Sequence, residues 1–258
     1  MPAPERTTAA KRSAGALLLA SDHTQRLLRT ATAASVDEAV AEIGRRRELR
    51  KAAALVVLVT LSHKFTNRAR GAILEGRQNA RLAGAGRLGA ELAALGIVIE
   101  LARQDAFSRH DEDEAYASTA ADALSVAWRG LAFAAVSASM RNDADPGPAL
   151  AKIERPMLPR LDRTASTETS RAFNDEQRRA LADAAARDER IAEQLRETRV
   201  MREWNAMLDA CERCSPHDGE RVAYTDSFSG GDEPGEMHPR CMCTATLVTE
   251  SVAASKAA

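Results

Sequence analysis

CERCSPHDGERVAYTDSFSGGDEPGEMHPRCMC, residues 211–243, holds every cysteine of a 258-residue chain. Cys211-Glu-Arg-Cys214 opens the stretch and His238-Pro-Arg-Cys241-Met-Cys243 closes it, across a Gly-rich loop. Thiolates at this spacing can face one soft cation. A His/Cys pair returned by a loop then completes the tetrahedron that Zn²⁺ prefers. The expected ligands are Cys211, Cys214, His238 and Cys241, with Cys243 as the alternative ligand, because the i, i+3 spacing of His238 and Cys241 matches that of the first pair. His217, beside Pro216, reads as a turn residue. Two disulfides or four unrelated thiols are the competing reading. No H-E-x-x-H pattern occurs, so the expected role of the Zn²⁺ is structural rather than hydrolytic.

Working outward, the rest of the chain reads as mainly α. Hydrophobic residues make up 45% but aromatics only 3%. Packing must therefore rely on Ala, Leu, Val and Ile, which suits close contact between helices. Val36–Ile43, Leu49–Leu61, Leu88–Leu101 and Ala115–Met140 show apolar residues at helical steps. The β-branched runs Val56–Thr60 and Ile97–Ile99 leave strands open there. Four of the nine prolines fall between Asn142 and Arg160, a composition that interrupts a helix. Asp162–Leu208 reads as one long helix that delivers Trp204 to the cysteine module. The expected organisation is a disordered 1–12, a helical domain 13–142, a linker 143–160, the long helix with its zinc-stabilised hairpin module over 161–249, and a tail 250–258.

Charge is unevenly spread. Residues 1–110 carry +8 and residues 111–258 carry −9. Arg45, Arg46, Arg47, Arg50 and Lys51 form a basic run that could contact double-stranded DNA non-specifically, with solvated helix faces as the plainer reading. The most hydrophobic stretch, Ala52–Leu61, falls short of the roughly 20 residues a membrane span needs, and Gly15–Ala20 is too short for a signal peptide. No membrane partner is expected. Gly84-Ala-Gly86-Arg-Leu-Gly89 has the letters of a dinucleotide fingerprint, but it follows a polar helical segment instead of a strand. Close helix packing or a turn explains those glycines.

Thr167-Glu168, Ala172 and Asn174, then Trp204-Asn-Ala-Met-Leu-Asp209, Cys211-x-x-Cys214, Asp218-Gly219 and His238-Pro239-Arg-Cys241-Met-Cys243-Thr244 together resemble the phage Mu F-like minor head protein family. The resemblance covers about residues 161–248. Two positions differ from the family pattern: Ala210 alone separates Asp209 from Cys211, and Met242 stands where the family has Arg. The resemblance implies a minor capsid protein acting in head assembly or DNA delivery, bound to the portal, capsid or scaffold proteins. It would reside in the virion, in the head interior or at the portal vertex, after assembly in the bacterial host cytoplasm. The expected protein is a binding protein and not an enzyme, with Trp204 and Leu208 packed beneath the metal and Asp209 orienting or capping the turn. A zinc-containing nucleic-acid-binding module is the alternative. An ADP-ribosyltransferase-type enzyme is a weaker one, since neither a cofactor pocket nor a catalytic Glu can be placed.

Overall fold

The computed structural model describes residues 8–45, 51–98, 110–207 and 210–250. Four long helices dominate the described residues; the first three are α1 (Thr8–Arg45), α2 (Lys51–Ala94) and α3 (His110–Arg141). Helix formers such as Ala, Leu, Arg and Glu fill them, so propagation meets few breaks. The periodic runs over 36–43, 51–61, 88–94 and 115–140 are pieces of these helices, whereas 95–98 is turn and irregular chain, with Ile97 and Val98 in no strand, and Leu49, Arg50 and 99–101 lie outside the described residues. Val56–Thr60 is helical and not a strand, because its flanking residues continue the helix on both sides. The region expected to be disordered is helical from Thr8, and Ala10 is buried. Helix α2 ends at Ala94, and Gly96 follows with φ 76°, a conformation that terminates helices at little cost for glycine. By length and composition α3 could cross a membrane.

The chain forms two compact units, each assembled from separated segments. The described residues of 22–76 and 110–168 make one unit. Its core is a set of helical stripes: Leu58, Leu61, Phe65, Ala69 and Ile73 on α2, and Ala117, Ala121, Leu124, Trp128, Ala132 and Val136 on α3. Steps of three and four residues keep each stripe on one face. Trp128 is fully buried and stacks on Phe65 at 5.6 Å between ring centroids. Polar links cross the same unit, where Ser125 Oγ donates to the Ser62 carbonyl at 3.2 Å and Arg29 pairs with Asp162.

The proline segment lies inside this unit and is largely helical. Asp145 Oδ1 accepts the Gly147 N–H at 2.9 Å, and a single turn, α4 (Gly147–Leu150), follows. Helix α5 (Glu154–Arg187) then takes Pro156 into its first turn and Pro159 into its second. Proline is tolerated at a helix start because those N–H groups have no partner within the helix, and only Pro159 removes a bond. The buried stripe Leu150, Ile153, Met157, Leu161 and Ala165 carries the segment into the core.

Residues 8–21, 77–98, 169–207 and 210–250 are the described part of the other unit. Asp162–Leu208 is not one helix. Asp188, with φ −136°, ends α5 and caps α6 (Glu189–Glu197) by accepting the Arg190 N–H, a strong N-cap arrangement. The chain then turns at Arg199, with φ 49°, into a three-stranded antiparallel sheet of order β2-β1-β3, built from β1 (Val200–Asn205), β2 (Arg221–Ala223) and β3 (Thr244–Thr249). Trp204 therefore sits on a central strand, opposite Ala245. Gly84 lies where a Cβ would come within 2.5 Å of the Phe173 carbonyl oxygen, so it serves close helix packing.

Buried charge ties this unit together. Arg81 is fully buried and pairs with Asp175 at 3.0 Å and Glu176 at 3.4 Å. Glu91, 4% exposed, accepts from Ser13 Oγ, Arg87 Nε and the Leu247 backbone N–H, each at 2.9 Å. Burial raises its pKa against those hydrogen bonds. A carboxyl raised on folding contributes stability at low pH that is lost as pH rises through the folded pKa. Wild type should therefore gain on Glu91→Gln as pH falls from 7 toward 4, as measured by urea titration at each pH. A flat difference would refute it. In the other unit, Trp128→Ala should destabilise by about 3–5 kcal/mol, read from the denaturant midpoint of the helical circular dichroism signal.

Candidate metal centre

The sulfur atoms are brought together by three short pieces of backbone. Cys211 to Cys214 is a tight turn, in which the Cys214 and Ser215 N–H groups bond the Cys211 carbonyl at 3.0 Å. Pro216 then starts a 3-10 turn, Ser215–His217. His238 to Cys241 is a second turn, closed by the Cys241 N–H on the His238 carbonyl at 3.1 Å. Cys243 leads directly into β3. The five donors converge as the sequence suggests, and all four cysteines are free thiols.

Two overlapping groups result. Cys211, Cys214 and His238 form one, and Cys214, Cys241 and Cys243 the other, with the ligand atoms in each group within 4.8 Å of one another. His238 Nε2 lies 3.1 Å from Cys211 Sγ and 3.2 Å from Cys214 Sγ, and Cys214 Sγ lies 3.7 Å from Cys241 Sγ. A tetrahedral ion with metal–sulfur bonds of about 2.3 Å has sulfur–sulfur edges of about 3.8 Å, which the Cys214–Cys241 pair already meets. The His238 contacts are shorter than the corresponding edge of about 3.6 Å, so an ion there must part them by a few tenths of an ångström. The donor set fits a soft or borderline metal ion.

The imidazole is oriented for such a role. His238 Nδ1 lies 2.8 Å from the Pro239 carbonyl oxygen. A carbonyl only accepts, so Nδ1 carries the proton and Nε2 presents its lone pair to the sulfurs.

Electrostatics divide the thiols. Cys241 is held down at about 5, first by the hydrogen bond from the Cys243 thiol, with backbone N–H groups of Cys243 and Gly235 adding to it against burial. Cys214 is pushed up to about 12 by burial and then by the charge on Cys241. Cys243 is raised because it donates to Cys241 and is buried. Burial works to raise Cys211, but the N–H groups of Cys214 and Arg213 outweigh it and its pKa is lowered. Without a metal the buried trio thus favours one thiolate. A divalent ion would displace the remaining protons and neutralise the added charge.

Support beneath the cluster is aromatic and polar. Trp204 is fully buried, stacked on His217 at 4.7 Å and edge-on to Phe228 at 5.1 Å, in one apolar cluster with Cys214, Cys241 and Cys243. Leu208 and Asp209 lie outside the described residues. Among the described residues, Asp218 holds the chain after β1, its carboxylate accepting the Ala206 N–H at 2.8 Å. His217 faces Glu220 at 2.6 Å and Asp232 at 3.6 Å instead of the sulfurs. Ser229 Oγ approaches His217 on Nδ1, the nitrogen already held by Glu220, so the three do not form a nucleophile relay.

Two supporting residues were not assigned a role from the sequence. Asn174 on α5 donates to the Cys243 carbonyl at 3.0 Å and to the Ser170 carbonyl at 2.9 Å. Gly235, with φ 86°, crosses so close that a Cβ would lie 2.8 Å from Ser170 Oγ and 3.0 Å from Asn174 Nδ2. A glycine just before the H-P-x-C run was the available signal.

The basic run is described only in part. Arg45 ends α1 and pairs with Glu42 at 2.5 Å. Arg46, Arg47 and Arg50 lie outside the described residues, as does the side chain of Lys51. A shallow depression open to solvent, lined by Glu91, Asn174, Gln177, Arg178, Arg202 and β3, has room for no more than about one water molecule. Comparison of the chain with protein-family models, curated proteins and solved structures finds no match.

Gly235→Ala should destabilise by about 2 kcal/mol or more, because strain at positive φ adds to the contact with α5. Thermal unfolding monitored by tryptophan fluorescence measures it, and an unchanged midpoint would show that the loop is free to move.

Proposed function

We propose that this chain is a minor capsid protein of a tailed phage or prophage, acting in head morphogenesis or DNA delivery, and that its C-terminal module docks on the portal or on capsid or scaffold proteins. The observation that carries the reading is convergence. Ala172, Asn174, Trp204, Asp218 and the Cys/His positions of the family resemblance belong to one compact unit, while Thr167 and Glu168, which open the same pattern, belong to the other. Asn174 and Gly235 join helix and metal loop there. Zn²⁺ is the proposed ion, bound by Cys211, Cys214, His238 and Cys241. It supplies crosslinking across a stretch with little regular structure, and structural zinc can contribute about 10 kcal/mol or more to such a module. The role is binding, with the folded module as the docking element.

Ion pairing weighs against DNA binding as the main activity. Lys64 and Arg68 both pair with Glu38, Arg70 with Glu114 and Arg81 with Asp175 and Glu176. Part of the positive charge of the first 110 residues is thereby matched among the described residues. Residual DNA affinity should be non-specific and fall with salt.

The test is co-purification of wild type and Cys214→Ser with the portal and shell proteins of the source phage or prophage, followed by elemental analysis. Wild type should carry about one Zn²⁺ and associate with portal or shell, and Cys214→Ser should lose both. Charge reversal at Arg45, Arg46 and Arg47 should leave association intact and weaken only low-salt DNA retention. Wild type that binds neither portal nor shell, yet holds DNA at high salt, would replace this reading with the nucleic-acid module.

A further inference from the structure

Five soft or borderline donors form two overlapping groups of three, and a tetrahedral ion can use four of them. Their burial is graded. Cys214, Cys241 and Cys243 are 1%, 1% and 2% exposed, whereas Cys211 is exposed and His238 half-buried. Cys214 Sγ is common to both three-donor groups, so Cys211 and Cys243 lie within 4.8 Å of the same sulfur from opposite groups. Each also has backbone N–H groups facing its sulfur, those of Arg213 and Cys214 for Cys211 and that of Met207 for Cys243. Cys211 thus stands at the solvent edge of the cluster and Cys243 in its interior.

Resting on the zinc reading, we infer that Cys243 is a buried reserve ligand that replaces Cys211 at the metal, leaving an exposed, exchangeable cysteine thiol without loss of the ion. Cys214 and Cys241 are the permanent pair, His238 the third ligand, and the fourth position alternates. In the exchange, the metal–sulfur bond to Cys211 breaks as the bond to Cys243 forms. Cys243 gives up its thiol proton and Cys211 takes one up, so the charge of the centre is unchanged and nothing is oxidised or reduced. The released Cys211 can react with a soft electrophile while the module stays folded.

The full chain, loaded with zinc, tests this by X-ray absorption, which counts sulfurs around the ion. Wild type should show three sulfurs and one nitrogen. Cys211→Ser should bind zinc more weakly, by roughly tenfold, but keep three sulfurs. The double variant Cys211→Ser/Cys243→Ser should drop to two or lose the metal. Native mass spectrometry after brief alkylation with iodoacetamide gives an independent readout on wild type, in which the adduct should fall on Cys211 in protein that retains its zinc. Two sulfurs in Cys211→Ser, or zinc lost in step with alkylation, would overturn the reserve-ligand inference alone. Wild type that takes up no zinc under reducing conditions would overturn the zinc reading with it.

Discussion

Both hydrogens of the Asn174 side-chain amide are committed, one to the Ser170 carbonyl a turn earlier in α5 and one to the Cys243 carbonyl at the entry to β3. That fixes the amide's orientation and leaves Oδ1 buried without a partner. An orphaned acceptor costs roughly 1–3 kcal/mol, so the two donated bonds and the packing around them must outweigh it. They hold the Cys241-Met-Cys243 segment against a long helix at the point where Gly235 also crosses. The sulfur cluster is thus positioned by the helix as well as by its own turns. A metal ion bound there would meet donors already held in two overlapping groups, which would reduce the ordering needed on binding.

Around that clamp the sheet is kept in place by buried charge. Arg202 on β1 pairs with Glu233 and lies 4.9 Å over the Phe228 ring, which itself meets Trp204 edge-on. Glu91 on α2 accepts the Leu247 N–H on β3, so a helix side chain satisfies a donor at that end of the strand. Such pairs are poor sources of net stability but strict about geometry, since leaving either partner unpaired is expensive. Here they set the register of a three-stranded sheet too small to be stable alone.

The opposite charges of the two halves of the sequence do not translate into two oppositely charged bodies. Each compact unit draws on both halves, and pairs such as Arg29 with Asp162 and Arg81 with Asp175 span 133 and 94 residues. The asymmetry along the chain becomes local complementarity within each unit.

The periodicity of apolar residues, the scarcity of aromatics and the grouping of every cysteine in residues 211–243 were enough to indicate a mainly helical chain with a candidate metal module, because helix pattern and ligand spacing are local properties. Helix ends, unit boundaries and strand membership were not legible in this way. The prolines of 143–160 suggested an interruption, yet placed near helix starts they removed few hydrogen bonds. Val200–Asn205 continued a helical reading until Asp188 capped the next turn and β3 supplied partners 39 to 49 residues away in register. The roles of Asn174 and Gly235 depended on a helix and a loop meeting 61 residues apart in sequence. Only tertiary structure decides such pairings, because the energy of a buried amide or a close backbone approach belongs to two distant segments at once and leaves no periodic trace in either.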